Sequence, residues 1–95
     1  MYVSQFSFEF RPEQFEQVNR MARQIVDELR QVPGCRQMVL LRTAPDTLAS
    51  CVTYETLVHA EAAVPTIARF FERLGPLLTR LPHREIFPAL IYEQF

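Results

Sequence analysis

The stretch QVPGCRQMVLL, residues 31–41, decides the fold. The chain has only two glycines, and one of them stands here, behind Pro33 and ahead of an apolar run. A proline cannot continue a helix, and a glycine readily takes the reversed dihedrals of a helix C-terminal cap. The stretch therefore ends a helix and launches a strand.

Upstream, Phe15, Val18, Ala22, Ile25, Leu29 and Val32 recur at helical spacing, which predicts an amphipathic helix of about five turns. Pro12 sits near its start, with Glu13 and Glu16 in the acidic first turn that the helix dipole favours. Before it, YVSQFSFEF has period two, with Tyr2, Phe6, Phe8 and Phe10 on one face and Gln5, Ser7 and Glu9 on the other, a strand signal. Downstream, CRQMVLLR turns at TAPDT into LASCVTYE. If Arg42 pairs with Leu48, Val39 faces Cys51 and Arg36 faces Tyr54. A second helical stripe then runs through Ala60, Ala63, Val64, Ile67, Phe71, Leu74 and Leu78. Thr56 is placed to cap it, Pro65 to restart it, and Gly75-Pro76 to end it. A last strand is predicted over about Glu85 to Gln94, at a sheet edge because Pro88 lacks an N–H.

The order β-α-β-β-α-β with right-handed crossovers gives an α+β, ferredoxin-like fold. Its four-stranded antiparallel sheet has strand order 4-1-3-2, and two helices cover one face. The 95 residues read as a single domain, 1–95, hydrophobic at 48% and with a net charge of −1. That composition excludes a disordered tail or a polyanion binder. All ten basic residues are Arg, so lysine Schiff-base chemistry is excluded. No apolar run is long enough to span a bilayer and the N-terminus is unlike a signal peptide, so cytoplasm is the expected location. Cys35 and Cys51 fall roughly 13 Å apart along the hairpin, beyond disulfide reach, and are expected to be free.

Strands apolar on both faces are buried on both faces. The second and third strands set Val39, Leu41, Ala49 and Cys51 on one side and Met38, Leu40, Leu48 and Val52 on the other. The last strand sets Phe87, Ala89 and Ile91 against Ile86, Leu90 and Tyr92. A four-stranded sheet with helices on one face has no third layer. The expected cover is a second copy, in a homodimer packed sheet face to sheet face.

A strand leading into RPEQFEQ, VPGC followed by an apolar strand, and VTYETLVHAEAA together resemble the antibiotic-biosynthesis monooxygenase-like domains of the dimeric α/β-barrel superfamily. The resemblance covers nearly the whole chain and implies that the dimer closes into an α/β barrel around a small, mostly apolar pocket. In that family the third strand commonly ends in an aromatic residue followed by Glu and Ser. Tyr54, Glu55 and Thr56 stand at those places. Members that oxygenate polycyclic quinols or degrade haem usually carry an Asn facing the cavity from the first strand. Here Phe6 or Phe8 stands there, and the only asparagine is Asn19, on the first helix. Haem-degrading members also use a histidine from the later second helix, and residues 65–81 contain none. No cofactor and no metal are expected.

Tyr54 is the leading candidate for chemistry. If it follows the family's aromatic, its ring points to the helix-sheet cavity and its hydroxyl orients a phenol or quinone; otherwise it is a core-edge tyrosine. Arg36, opposite it in the expected register, would add a charge-assisted contact. His59 is either a general base near a pocket mouth or a half-exposed helix residue. Phe6, Phe8, Phe70 and Phe71 are core residues or the lining of an aromatic slot. Arg73, with Arg69 four residues before it, reaches an acidic ligand or belongs to a solvated face beside Glu72. His83 and Glu85 are two ligands at most, too few for zinc. RNA recognition by this element order needs an aromatic-rich third strand with basic support. LASCVTYE offers one aromatic, so no nucleic-acid partner is expected. The function implied is binding of a small apolar or aromatic, quinone-like molecule, with cofactor-independent oxygenation as its chemistry. The alternative is a non-catalytic ligand-binding or structural dimer of the same fold.

Overall fold

The computed structural model describes all of residues 1–95. Strand β1 (Tyr2–Glu9) leads through a 3-10 turn at Pro12–Gln14 into helix α1 (Phe15–Arg30). The hairpin β2 (Cys35–Ala44) and β3 (Thr47–Tyr54) follows. The second helical region is broken into α2 (Leu57–Ala62) and α3 (Val64–Leu74), and β4 (His83–Pro88) completes the sheet. The antiparallel order β2-β3-β1-β4 is the ferredoxin-like arrangement expected from the pattern.

Helix α1 buries Val18, Ala22, Ile25 and Leu29, the stripe read from its spacing. Ala60, Ala63, Ile67, Phe70 and Leu74 continue one buried stripe across the break between α2 and α3. The alternating +3 and +4 steps of that stripe pick Phe70 for the core and leave Phe71 half-buried. Val64, expected in the stripe, is exposed. Beneath the helices lie Phe6, Phe8, Phe10, Leu48, Val52 and Tyr54, all buried. The Phe8 and Phe70 rings meet edge to face at 5.9 Å, and Phe6 and Phe71 at 5.5 Å. Each fully buried ring of this kind contributes about 1.5–3 kcal/mol by leaving water.

Three expectations need correction. Gly34 does have positive φ, at 77°, but it does not cap the helix. The helix ends at Arg30, and the Cys35 N–H donates to the Val32 carbonyl at 3.2 Å across Pro33-Gly34. Proline second and a positive-φ glycine third in a hydrogen-bonded four-residue turn match the type II form. The last strand ends at Pro88 and not Gln94. Pro88 pairs with Tyr2, and beyond it one further backbone bond, from the Ala89 N–H to the Met1 carbonyl at 2.9 Å, ends the pairing with β1. Finally, an irregularity between Cys35 and Gln37 shifts the β2–β3 register, so Cys35 and not Arg36 lies opposite Tyr54. A bulge of this kind inserts one unpaired residue, which periodicity cannot reveal. Val39 opposite Cys51 and Arg42 opposite Leu48 are as expected, and both cysteines are free. No helix is long and apolar enough to cross a membrane.

Candidate functional site

Four residues of β1, Tyr2, Ser4, Phe6 and Phe8, face the helices together with Phe10 just past its end. All but Ser4 are aromatic. Ser4, in their midst, is fully buried and small, and the space above it is taken by side chains from both neighbouring strands. Tyr54 comes from β3 and Arg84 from β4.

Tyr54 has no exposed surface, and its hydroxyl makes no hydrogen bond. Burial without a partner costs a hydroxyl about 1–3 kcal/mol. Desolvation pushes its phenol above the ordinary value, and the nearby Cys35 acts in the same direction. Arg84 opposes that shift by its charge and as a nearby donor, although its contact with the hydroxyl falls short of good hydrogen-bond geometry. The Tyr54 side chain is thus a neutral phenol beside Arg84, with no acceptor for its hydroxyl hydrogen. The Cys35 thiol is also raised by burial, against a smaller opposing hydrogen bond from the Gln37 backbone.

Arg84 was not singled out in the sequence. Its Nε donates to Ser4 Oγ at 2.8 Å and its Nη2 to the Ala60 carbonyl at 3.4 Å. None of the chain's ion pairs includes it. The signal that locates it is register: Arg84 is the β4 partner of Phe6, so it lies on the helix-facing side. With β4 expected to start at Glu85, that residue lay outside the strand.

His59 stands on the first turn of α2, half-buried. Thr56 caps the helix, accepting from the His59 N–H at 3.2 Å, and its Oγ1 lies 2.9 Å from the ring Nδ1. The imidazole lies over Gly34, where an added Cβ would come within 2.2 Å of the ring. Gly34 is therefore required twice, for its dihedrals and for this close approach. Arg36 pairs with Glu55, whose other oxygen lies 4.0 Å from His59 Nδ1. Arg36, Glu55 and His59 form one polar cluster at the edge of the sheet, and no hydrogen bond links it to Tyr54.

The other candidates are distributed as follows. Phe6, Phe8 and Phe70 are buried against one another. Phe71 touches Phe6 from above and also lines an open groove of about 570 Å³ with Leu78 and Leu81. Arg73 reaches Glu28 at 2.9 Å and ties α3 to α1 on the outside of the helical layer. On the opposite face of the sheet, His83 and Glu85 are paired at 2.5 Å and border a shallow groove of about 350 Å³ with Gln5, Ser7, Leu41 and Cys51.

The sequence model described as antibiotic biosynthesis monooxygenase matches residues 1–69. No curated protein sequence matches the chain significantly. Solved structures resemble it closely in fold. A Nitrosomonas europaea protein of unknown function superposes with a TM-score of 0.85 at 15% identity, covering 98% of this chain and 92% of its own. A Mycobacterium tuberculosis protein gives 0.80 at 19% identity, covering 99% and 100%. A mutant of SnoaB, a cofactor-independent oxygenase from Streptomyces nogalater, gives 0.74 at 18% identity, covering 96% and 94%.

Proposed function

The chain belongs to the antibiotic biosynthesis monooxygenase family, and from that premise we propose that it is a homodimeric barrel protein that binds a small electron-rich aromatic and oxygenates it without a cofactor. The observation that carries this reading is the Tyr54 hydroxyl, buried without a hydrogen-bond partner in the same core as the rings of β1 and α3. A polar atom held at a cost to stability, in a layer with few other polar groups, suits the orienting of a phenol or quinone oxygen. Phe6, Phe8, Phe70 and Phe71 supply flat apolar walls, and the half-buried Phe71 lies between that layer and the 570 Å³ groove outside it. SnoaB, of the same fold, supports the cofactor-free chemistry.

In this reaction the ionised quinol is itself the reductant. One dioxygen adds to a ring carbon of a hydroquinone, one of its atoms stays in the hydroxyquinone product, and the other leaves as water. The chain's part is to exclude water, hold the ring, and accept a proton. Tyr54 holds the substrate oxygen. His59, at the start of α2, is the proton acceptor. The second copy covers the outer sheet face, where Val39, Leu41 and Phe87 are exposed.

A specific observation favours a second reading, a dimer that binds such a ligand without turning it over. The helix-facing positions of β1 carry Tyr2, Ser4, Phe6 and Phe8, and the chain's only asparagine, Asn19, lies on α1. Aerobic incubation of the pure protein with a panel of hydroquinones separates the two. Oxygenation consumes one dioxygen per quinol and yields hydroxyquinone, whereas simple autoxidation yields the parent quinone and peroxide. Saturable binding with no dioxygen uptake above background selects the second reading. No binding at all removes both.

A further inference from the structure

We propose that Arg84, Ser4 and Tyr54 form an anion-binding subsite inside the helix-sheet layer, which takes the carboxylate of a small aromatic acid. Three observations converge on it. Arg84 carries a full charge into the side of the sheet that faces the helices, and no carboxylate pairs with it. Its two contacts, to a hydroxyl and to a carbonyl, are neutral, and the second is long at 3.4 Å. A guanidinium has five N–H donors, so three remain without a protein acceptor. Beside it the Tyr54 hydroxyl, fully buried, has a donor hydrogen and nothing to give it to.

A carboxylate meets both deficits. One oxygen accepts from the free edge of the guanidinium, the other from the tyrosine hydroxyl, and the charge of Arg84 is neutralised. Ser4 contributes by position: its Oγ accepts from Arg84 Nε at 2.8 Å and so fixes the plane of the guanidinium. Entry requires the long contact with the Ala60 carbonyl to open and the side chains packed around Ser4 and Tyr54 to part. The aromatic body of the ligand then lies toward Phe6, whose backbone pairs with Arg84. This inference rests on the proposed aromatic ligand and adds the charge that ligand bears.

Benzoate and benzamide test it, because they share size and ring and differ in charge. Calorimetric titration of the dimer at neutral pH should show saturable benzoate binding, with benzamide at least tenfold weaker. Arg84→Gln should lower benzoate affinity tenfold or more and leave benzamide unchanged. Arg84→Lys should restore part of the loss, and Tyr54→Phe should cost a few-fold. Should Arg84→Gln fail to fold, the Arg84 Nε–H resonance of the wild-type protein gives the same answer, since it must shift saturably with benzoate and not with benzamide. Equal binding of the two probes, no benzoate binding, or benzoate affinity indifferent to Arg84 overturns the proposal. Dioxygen uptake with neutral hydroquinones in those cases leaves the oxygenase reading standing, so the two fail separately.

Discussion

The two faces of one sheet are built from the same strands by the same alternation, and they end in opposite states. Toward the helices, Phe6, Phe8, Phe10, Leu48, Val52 and Tyr54 are all buried. On the outer face Val39, Leu41 and Phe87 remain 41%, 52% and 43% exposed. Their neighbours there include Gln5, Ser7, His83 and Glu85. The chain's own helices cover the first face and nothing of its own covers the second. Beyond β4 the apolar residues Leu90, Ile91 and Phe95 are exposed as well. An apolar residue thus stabilises the fold on one face, and on the other it is left for the proposed second copy to bury.

Truncation on the covered face should have the largest effect. Phe8→Ala should lose about 3–5 kcal/mol of unfolding free energy, the range for deleting a buried aromatic ring. Leu41→Glu, on the uncovered face, should change the stability of the isolated chain by about 0.5 kcal/mol or less, as exposed substitutions do. It should nonetheless abolish the dimer. Denaturant unfolding measures the first effect. Sedimentation measures the second, with wild type at about twice the 11.1 kDa chain mass and the variant at one. Wild-type protein that sediments as a clean monomer at micromolar concentration breaks the comparison, because the outer face would then need no cover.

The edge where the two faces meet carries the next largest effect. Gly34→Ala should cost about 1–3 kcal/mol for placing a side chain at positive φ, and more because the new methyl strikes the His59 ring. Removing that ring in the double variant Gly34→Ala/His59→Ala should recover only the steric part. Equal losses in the single and double variants, beyond the cost of His59→Ala alone, would leave the dihedral as the whole cause.

Both groups that titrate at the covered edge should weaken the fold in alkali. Cys35 and Tyr54 have folded-state values raised above 9.0 and 10.0. Each is neutral in both states below its unfolded value, so no stability is lost there. As pH rises from the unfolded value toward the folded one, the unfolded chain ionises first and stability falls. Unfolding midpoints should therefore be flat from neutral to about pH 9 and decline above it. Cys35→Ala should delay the start of the decline, and an unchanged profile in that variant would assign the whole effect to other groups.

Most of the fold was legible because it rests on periodicity. Alternation in β1 and the stripe of α1 each imply one local structure, and the order of the elements leaves few topologies. The errors fall where a single residue breaks the period. The bulge at Arg36 moved the register opposite Tyr54, and β4 ended at Pro88, one residue short of its last backbone bond to Met1. Tyr54 was legible as a position, since it ends a strand whose inward face is fixed by Leu48 and Val52. That its hydroxyl lacks a partner depends on three strands and a helix meeting above Ser4, which no local pattern contains. Arg84 was missed for the same reason. An arginine beside His83 and Glu85 reads as solvated until the register turns it inward.

The smallest effect bears most directly on the claim that Tyr54 is kept for a ligand. Tyr54→Phe removes one oxygen and keeps the ring. A hydroxyl serving the fold would be missed, but one that is buried and unpartnered should not be. Paired measurement of denaturant unfolding and benzoate titration, on wild type and Tyr54→Phe, decides between them. The account predicts stability unchanged or higher by up to about 1 kcal/mol, with ligand affinity lower by about 0.5–1.5 kcal/mol. A variant that loses more than about 1 kcal/mol of stability while binding the ligand as tightly as wild type would contradict it.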